Sequence, residues 1–167
     1  MKNILFLTLT LISFTLSAND QDFQKVKIQK KINNACVKGL SANVRSEADT
    51  KASIVTNLSK YTPLTILEEK EDWTKVQSKN FIGWIFNELI IKNINCVMVI
   101  QPGKAFADSD TSSTHSNREN VNLNEAFKIL STEIGVTQVQ DKYGNVFWIE
   151  NQNLWPKTNL ENLSLSL

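Results

Sequence analysis

Three short runs decide how this chain folds: Ala42-Asn43-Val44-Arg45-Ser46-Glu47, Glu71-Asp72-Trp73-Thr74-Lys75-Val76 and Ile82-Gly83-Trp84-Ile85, the last followed by Asn87-Glu88-Leu89. Around them the chain reads as short strands separated by turns. Ala35-Cys36-Val37 opens the series and a polar loop follows. Residues 53–58 read as a strand, and Tyr61-Thr62-Pro63 as a turn that places proline at a strand start, where its missing N–H does no harm. Leu64 and Ile66 alternate with Thr65 and Leu67, the period-two pattern of a half-buried strand. Residues 68–72 form a charged hairpin tip, 73–77 the next strand with Val76 inward, and Ser78-Lys79-Asn80 a turn. Residues 81–86 complete the sheet, and Gly83 allows a bend or a close backbone approach. Asn87-Glu88-Leu89 suits one 3₁₀ turn before a closing strand at Ile90-Ile91. No segment carries a sustained helical period, so the expectation is all-β, built as a small barrel.

Working outward, the N-terminus has a lone Lys2, an apolar run over residues 4–16 interrupted only by Thr and Ser, and then Ser17-Ala18. That is the layout of a secretory signal peptide over residues 1–18. The run is too short to span a bilayer, which takes about 20 residues, so no stable membrane insertion is expected after cleavage. Residues 19–34 read as a polar, Lys-rich linker or arm. Without Lys2 the chain carries 17 basic and 17 acidic side chains. This neutrality argues against a nucleic-acid partner or an anionic membrane surface, both of which need a positive field.

The strand pattern recurs. Cys96-Val97 echoes Cys36-Val37, and Ala105-Phe106-Ala107-Asp108-Ser109 sits where Asn43-Val44-Arg45-Ser46 would. Ala126-Phe127-Lys128-Ile129-Leu130 matches Leu64-Thr65-Ile66-Leu67, and Thr137-Gln138-Val139-Gln140 matches Thr74-Lys75-Val76-Gln77. Phe147-Trp148-Ile149 matches Gly83-Trp84-Ile85, and Asn153-Leu154 matches Glu88-Leu89. Settling such repeats comes before finer reading. The expectation is two tandem barrels, at residues 35–92 and 95–157, the second diverged, with a tail at 158–167. A long polar loop, 107–120, interrupts the second.

With these runs in this order, residues 35–91 resemble a bacterial Src-homology-3 domain. The resemblance implies two tandem Src-homology-3-like β-barrels after the signal peptide. It implies a recognition groove at Trp73, Phe86 and Leu89, with Val76, Ile85 and Ile90 as core. An indole beside apolar neighbours is a rigid anchor for a peptide or sugar. Acidic residues at the groove edge, among them Glu47 and Asp72, would suit a ligand bearing an amine; as solvated loop charges they would do nothing of the kind. Glu47-Ala48 replaces the family's Gly-Pro and Ala42 replaces its Leu, so the first loop is expected to be shaped differently. Arg45 is read as a structural residue bonding loop carbonyls. In the second copy Val136 and Glu150 stand at the positions of Trp73 and Phe86, which makes barrel two a spacer or a user of another surface. The start and end of such a barrel lie close together, so Cys36 and Cys96 would clasp it by a disulfide; two free thiols are the alternative.

Catalysis finds no support. A nucleophile needs a base beside it, and the single histidine, His115, lies in the polar loop away from both cysteines. Asp108, Asp110, Ser112 and Glu119 have the spacing of a calcium loop, but Ser113 stands where the loop needs glycine. No metal and no cofactor is expected. The chain is therefore expected to be a non-catalytic binding module, periplasmic or secreted. Its expected partner is peptidoglycan peptide or glycan, the alternative being another exported protein gripped by an assembly factor, inhibitor or adaptor.

Overall fold

The computed structural model describes residues 34–112 and 118–157, and every named element there is a strand or a single 3₁₀ turn. The signal peptide, most of the expected linker, His115, Ser113 and the tail lie outside the described residues. The all-β expectation holds.

The first sheet has seven antiparallel strands: β1 (Asn34–Val37), β2 (Ser41–Arg45), β3 (Ile54–Ser59), β4 (Pro63–Lys70), β5 (Trp73–Gln77), β6 (Ile82–Phe86) and β7 (Ile90–Lys92). Their order is β3-β2-β6-β5-β4-β1-β7. Alternation sets which face is buried: in β2 Ala42 and Val44 point in, in β5 Thr74 and Val76, in β6 Gly83 and Ile85. Ala35, Val37, Leu58, Leu64 and Ile90 close the core around them. Gly83 stands where β6 crosses β2. A Cβ there would sit 2.5 Å from Val44 Cγ1 and 2.7 Å from the Arg45 carbonyl oxygen, so the two strands approach as they do only because the side chain is absent.

Two details differ from the sequence expectation. The stretch after Val37 contains β2, which only two inward residues announce. The hairpin tip is also tighter than 68–72, because β4 continues to Lys70 and leaves Glu71-Asp72 as the turn, with Glu71 at φ 50°. A register shift between Ile66 and Glu68 absorbs one residue and lets the charged segment stay paired with β5.

The second sheet contains β8 (Cys96–Val99), β11 (Ala126–Thr132), β12 (Val136–Gln140), β13 (Val146–Glu150) and β14 (Leu154–Trp155), in the order β13-β12-β11-β8-β14. A two-stranded ribbon, β9 (Gly103–Lys104) with β10 (Asn120–Val121), lies beside it, and Phe106 bridges to Trp148. Its core is Val97, Val99, Ala105, Val121, Phe127, Val139, Phe147, Ile149 and Leu154, with the Phe127 and Phe147 rings edge to face at 5.3 Å.

Cys36 and Cys96 form a disulfide, with Cα atoms 6.2 Å apart. Cys36 belongs to β1 and Cys96 to β8, so the bond ties the first strand of one sheet to the first strand of the other. Tyr61 and Ala126 pack around it with Ile94 alongside. Replacing both cysteines with alanine is expected to lower stability by about 4 kcal/mol, the chain-entropy value for a closed loop of this length. Denaturant unfolding of the oxidised protein and the variant measures this, and intact mass after native alkylation should show no free thiol.

The β12–β13 turn is organised by Asp141, a buried carboxylate. Its Oδ1 accepts the backbone N–H groups of Tyr143 (2.8 Å) and Asn145 (2.9 Å), and its Oδ2 accepts from Asn145 Nδ2 at 2.8 Å. Burial alone would raise its pKa. The bonds from Asn145 and Tyr143, with the charge of Arg118, outweigh burial and hold the carboxyl below its ordinary 3.8. The folded chain therefore takes up this proton less readily than the unfolded one. The resulting stability is complete above the ordinary carboxylate range and is lost as pH falls through the folded pKa. Asp141→Asn is expected to cost about 1–2 kcal/mol at pH 7, with a gap to wild type that narrows in acid, as read from urea midpoints between pH 7 and pH 3.

A groove walled by Trp73 and Phe86

Trp73 opens β5 and Phe86 ends β6, and the register sets them directly opposite each other. Their rings meet edge to face with centroids 5.5 Å apart and planes at 80°, a favourable aromatic arrangement. Both side chains are half-buried, as is Leu89 in the 3₁₀ turn Asn87–Leu89. Beneath them sits a polar clamp. Thr74 Oγ1 donates to Asn87 Oδ1 at 2.6 Å, Asn87 Nδ2 donates to the Glu71 carbonyl at 2.8 Å, and the Asn87 backbone N–H donates to the Asp72 carbonyl at 2.8 Å. One asparagine thus fixes the β4–β5 turn against the 3₁₀ turn, and with it the spacing of Trp73, Phe86 and Leu89.

The opposite side of the groove comes from β2 and β3. Inward Ala42 and Val44 leave Ser41, Asn43 and Arg45 on the outer face, joined by Asn57 of β3 and Thr50 of the intervening loop. These five line a groove of about 400 Å3 together with Trp73, Phe86 and Leu89. Ser41 Oγ donates to Asn57 Oδ1 (2.9 Å), and Asn57 Nδ2 donates to Asn43 Oδ1 (2.8 Å). Arg45 Nη1 donates to the Ala52 carbonyl at 2.7 Å and holds the loop in place, the structural role expected of it.

The structure therefore gathers Trp73, Phe86 and Leu89 into one groove, and it buries Val76, Ile85 and Ile90 as core. Glu47 and Asp72 do not line it. Both are exposed; Glu47 lies in the loop after β2, and Asp72 lies in the β4–β5 turn. Ser41, Asn43, Thr50 and Asn57 were not foreseen as lining residues. The signal for two of them was present, since alternation about Ala42 and Val44 puts Ser41 and Asn43 on one face with Arg45. Asp108 and Asp110 accept the backbone N–H groups of Asp110 and Ser112, each at 3.0 Å. Among the described residues no group of three His, Cys, Asp or Glu side chains could hold a metal.

In the second sheet the same clamp recurs with different cargo. Thr137 Oγ1 donates to Asn151 Oδ1 at 2.6 Å, Asn151 Nδ2 to the Glu133 carbonyl at 3.2 Å, and the Asn151 N–H to the Gly135 carbonyl at 2.8 Å. Where Trp73 faces Phe86, Val136 faces Glu150. Val136 is buried with Phe106 and Trp148.

Residues 39–91 match the family described as bacterial SH3 domain. That stretch is similar to bacterial SH3 domains. Among curated proteins, the candidate N-acetylmuramoyl-L-alanine amidase YrvJ of Bacillus subtilis (strain 168) is 35% identical over 51 residues, which cover 30% of this chain and 10% of that one. Among solved structures, an NlpC/P60 family protein from Bacillus cereus ATCC 10987 aligns at 13% identity over 72% of this chain and 55% of its own, with a TM-score of 0.37. The CBD of endolysin LysPBC5 aligns at 16% identity over 74% and 92%, with a TM-score of 0.29. Neither of these two structural likenesses bears on function.

The clamp yields a stability prediction. Thr74→Val keeps the shape but removes the donor to Asn87 Oδ1, which is half-buried, at a cost of about 1 kcal/mol. Chemical denaturation of the variant checks it, and Asn87→Ala added to Thr74→Val should cost less than the sum of the two separate losses.

Proposed function

We propose that the chain is an exported, non-catalytic binding module that recognises bacterial cell-wall peptide or glycan through the SH3 domain's groove. The carrying observation is the half-buried Trp73–Phe86 pair, clamped from below and facing an outward row of amide and hydroxyl groups. A rigid aromatic wall opposite hydrogen-bonding groups is the chemistry of a site for an extended peptide or a sugar ring. The shared stretch with a relative named for the muramoyl–alanine bond supports a wall ligand over an unrelated one. The disulfide supports export, since such bonds persist outside the reducing cytosol.

The second sheet is, on this reading, a diverged copy of the first. The repeated Thr–Asn clamp supports that descent, and the burial of Val136 under Phe106 and Trp148 supports a spacer role in which no aromatic wall is displayed.

A pull-down on purified peptidoglycan tests the function. Wild type is expected to sediment with the wall, and Trp73→Ala to remain in the supernatant with an unchanged circular dichroism spectrum, a loss of at least tenfold in affinity for an aromatic anchor. If neither protein sediments, the wall reading fails and an exported protein partner takes its place.

A further inference from the structure

We infer that the groove selects its ligand by a carboxylate, received by Arg45 and Asn43 while the ligand's apolar part lies on Trp73. This rests on the reading that the groove is the binding site, and it adds what the site discriminates.

The argument begins with the direction of the hydrogen bonds. Ser41 spends its proton on Asn57 Oδ1, and Asn57 spends an N–H on Asn43 Oδ1. Each amide oxygen therefore accepts one bond from within the row and keeps its second lone pair. At the end of the row stands the Asn43 amide N–H₂, which donates. Arg45 follows two positions on along the same face. One of its guanidinium nitrogens reaches Ala52, and among the described residues it makes no ion pair. A guanidinium has five N–H donors and no acceptor, so most of its donors remain for a ligand.

Charge points the same way. Of the eight residues lining the groove, Arg45 alone is charged, and no carboxylate lines it. A ligand amine would meet a fixed positive charge, with only neutral hydroxyl and amide oxygens to replace its lost water. A ligand carboxylate would meet the reverse, and hydrogen bonds to a charged group are about twice as strong as neutral ones. The sequence expectation put Glu47 and Asp72 at the groove edge, where they would suit an amine; neither side chain lines the groove.

Purified peptidoglycan itself serves as the probe, in two forms: native, and with its free carboxyl groups converted to primary amides. The full exported chain is expected to bind the amidated wall at least tenfold more weakly, and raised salt should weaken binding to the native wall alone. Arg45→Met should bind both walls with the same low affinity, while Arg45→Lys should recover part of the preference for the native form. Competition by alanyl-D-isoglutamine against N-acetylmuramic acid separates a peptide carboxylate from a sugar acid. Equal binding of wild type to both walls, with binding still abolished by Trp73→Ala, would overturn the carboxylate inference and leave the wall reading standing. No binding to either wall would overturn both. Because the decisive comparison uses wild type on two walls, it survives even if Arg45→Met fails to fold.

Discussion

The hydrogen bond from Thr74 to Asn87 is the constraint on which the groove depends. Strand pairing alone fixes Trp73 opposite Phe86, but it does not fix Leu89 or the turn that precedes Trp73. Asn87 does so because a single amide reaches in two directions, accepting from the strand and donating to the Glu71 carbonyl. The Thr74 hydroxyl is completely buried, so the low-dielectric surroundings make the bond strong and its loss costly.

The second constraint is the junction. The disulfide connects β1 to β8, and β1 lies between β4 and β7 in the first sheet. The bond is therefore anchored in paired strands on both sides. Cys36 also belongs to the small cluster with Tyr61 and Ala126 rather than to either main core. A covalent tie of this kind suits two small cores, neither of which has much apolar area to hold the other by burial.

Much of this was legible in the sequence. Strands such as Trp73–Gln77 and turns such as Asn87–Leu89 follow from alternation and turn chemistry, which act within a few residues. The Trp73, Phe86 and Leu89 wall was legible only through the bacterial Src-homology-3 resemblance, since nothing local says that residues 73 and 89 meet. Three features escaped. β2 has just two inward side chains, both small, so it lacks the apolar weight of a recognisable strand. The extension of β4 to Lys70 depends on a register shift, which leaves no compositional mark. Asn57 and Thr50 reach the groove by the pairing of β3 with β2 and by the path of the loop between them, both set by tertiary contacts.

The acidic rim shows why composition misleads about a site's electrostatics. Residues 47–72 carry several carboxylates, and a count of charges near the groove favours a cationic ligand. Magnitudes reverse that. An exposed carboxylate about 10 Å from a ligand contributes about 0.4 kcal/mol in water, and physiological salt screens most of it beyond about 8 Å. A direct hydrogen bond to a charged group contributes about 1.5–3 kcal/mol. One guanidinium in contact with a ligand would therefore outweigh several carboxylates at a distance. On the proposed reading the preference of this groove would come from the alternation of β2, which puts Arg45 in the groove lining, together with a loop that leaves Glu47 exposed.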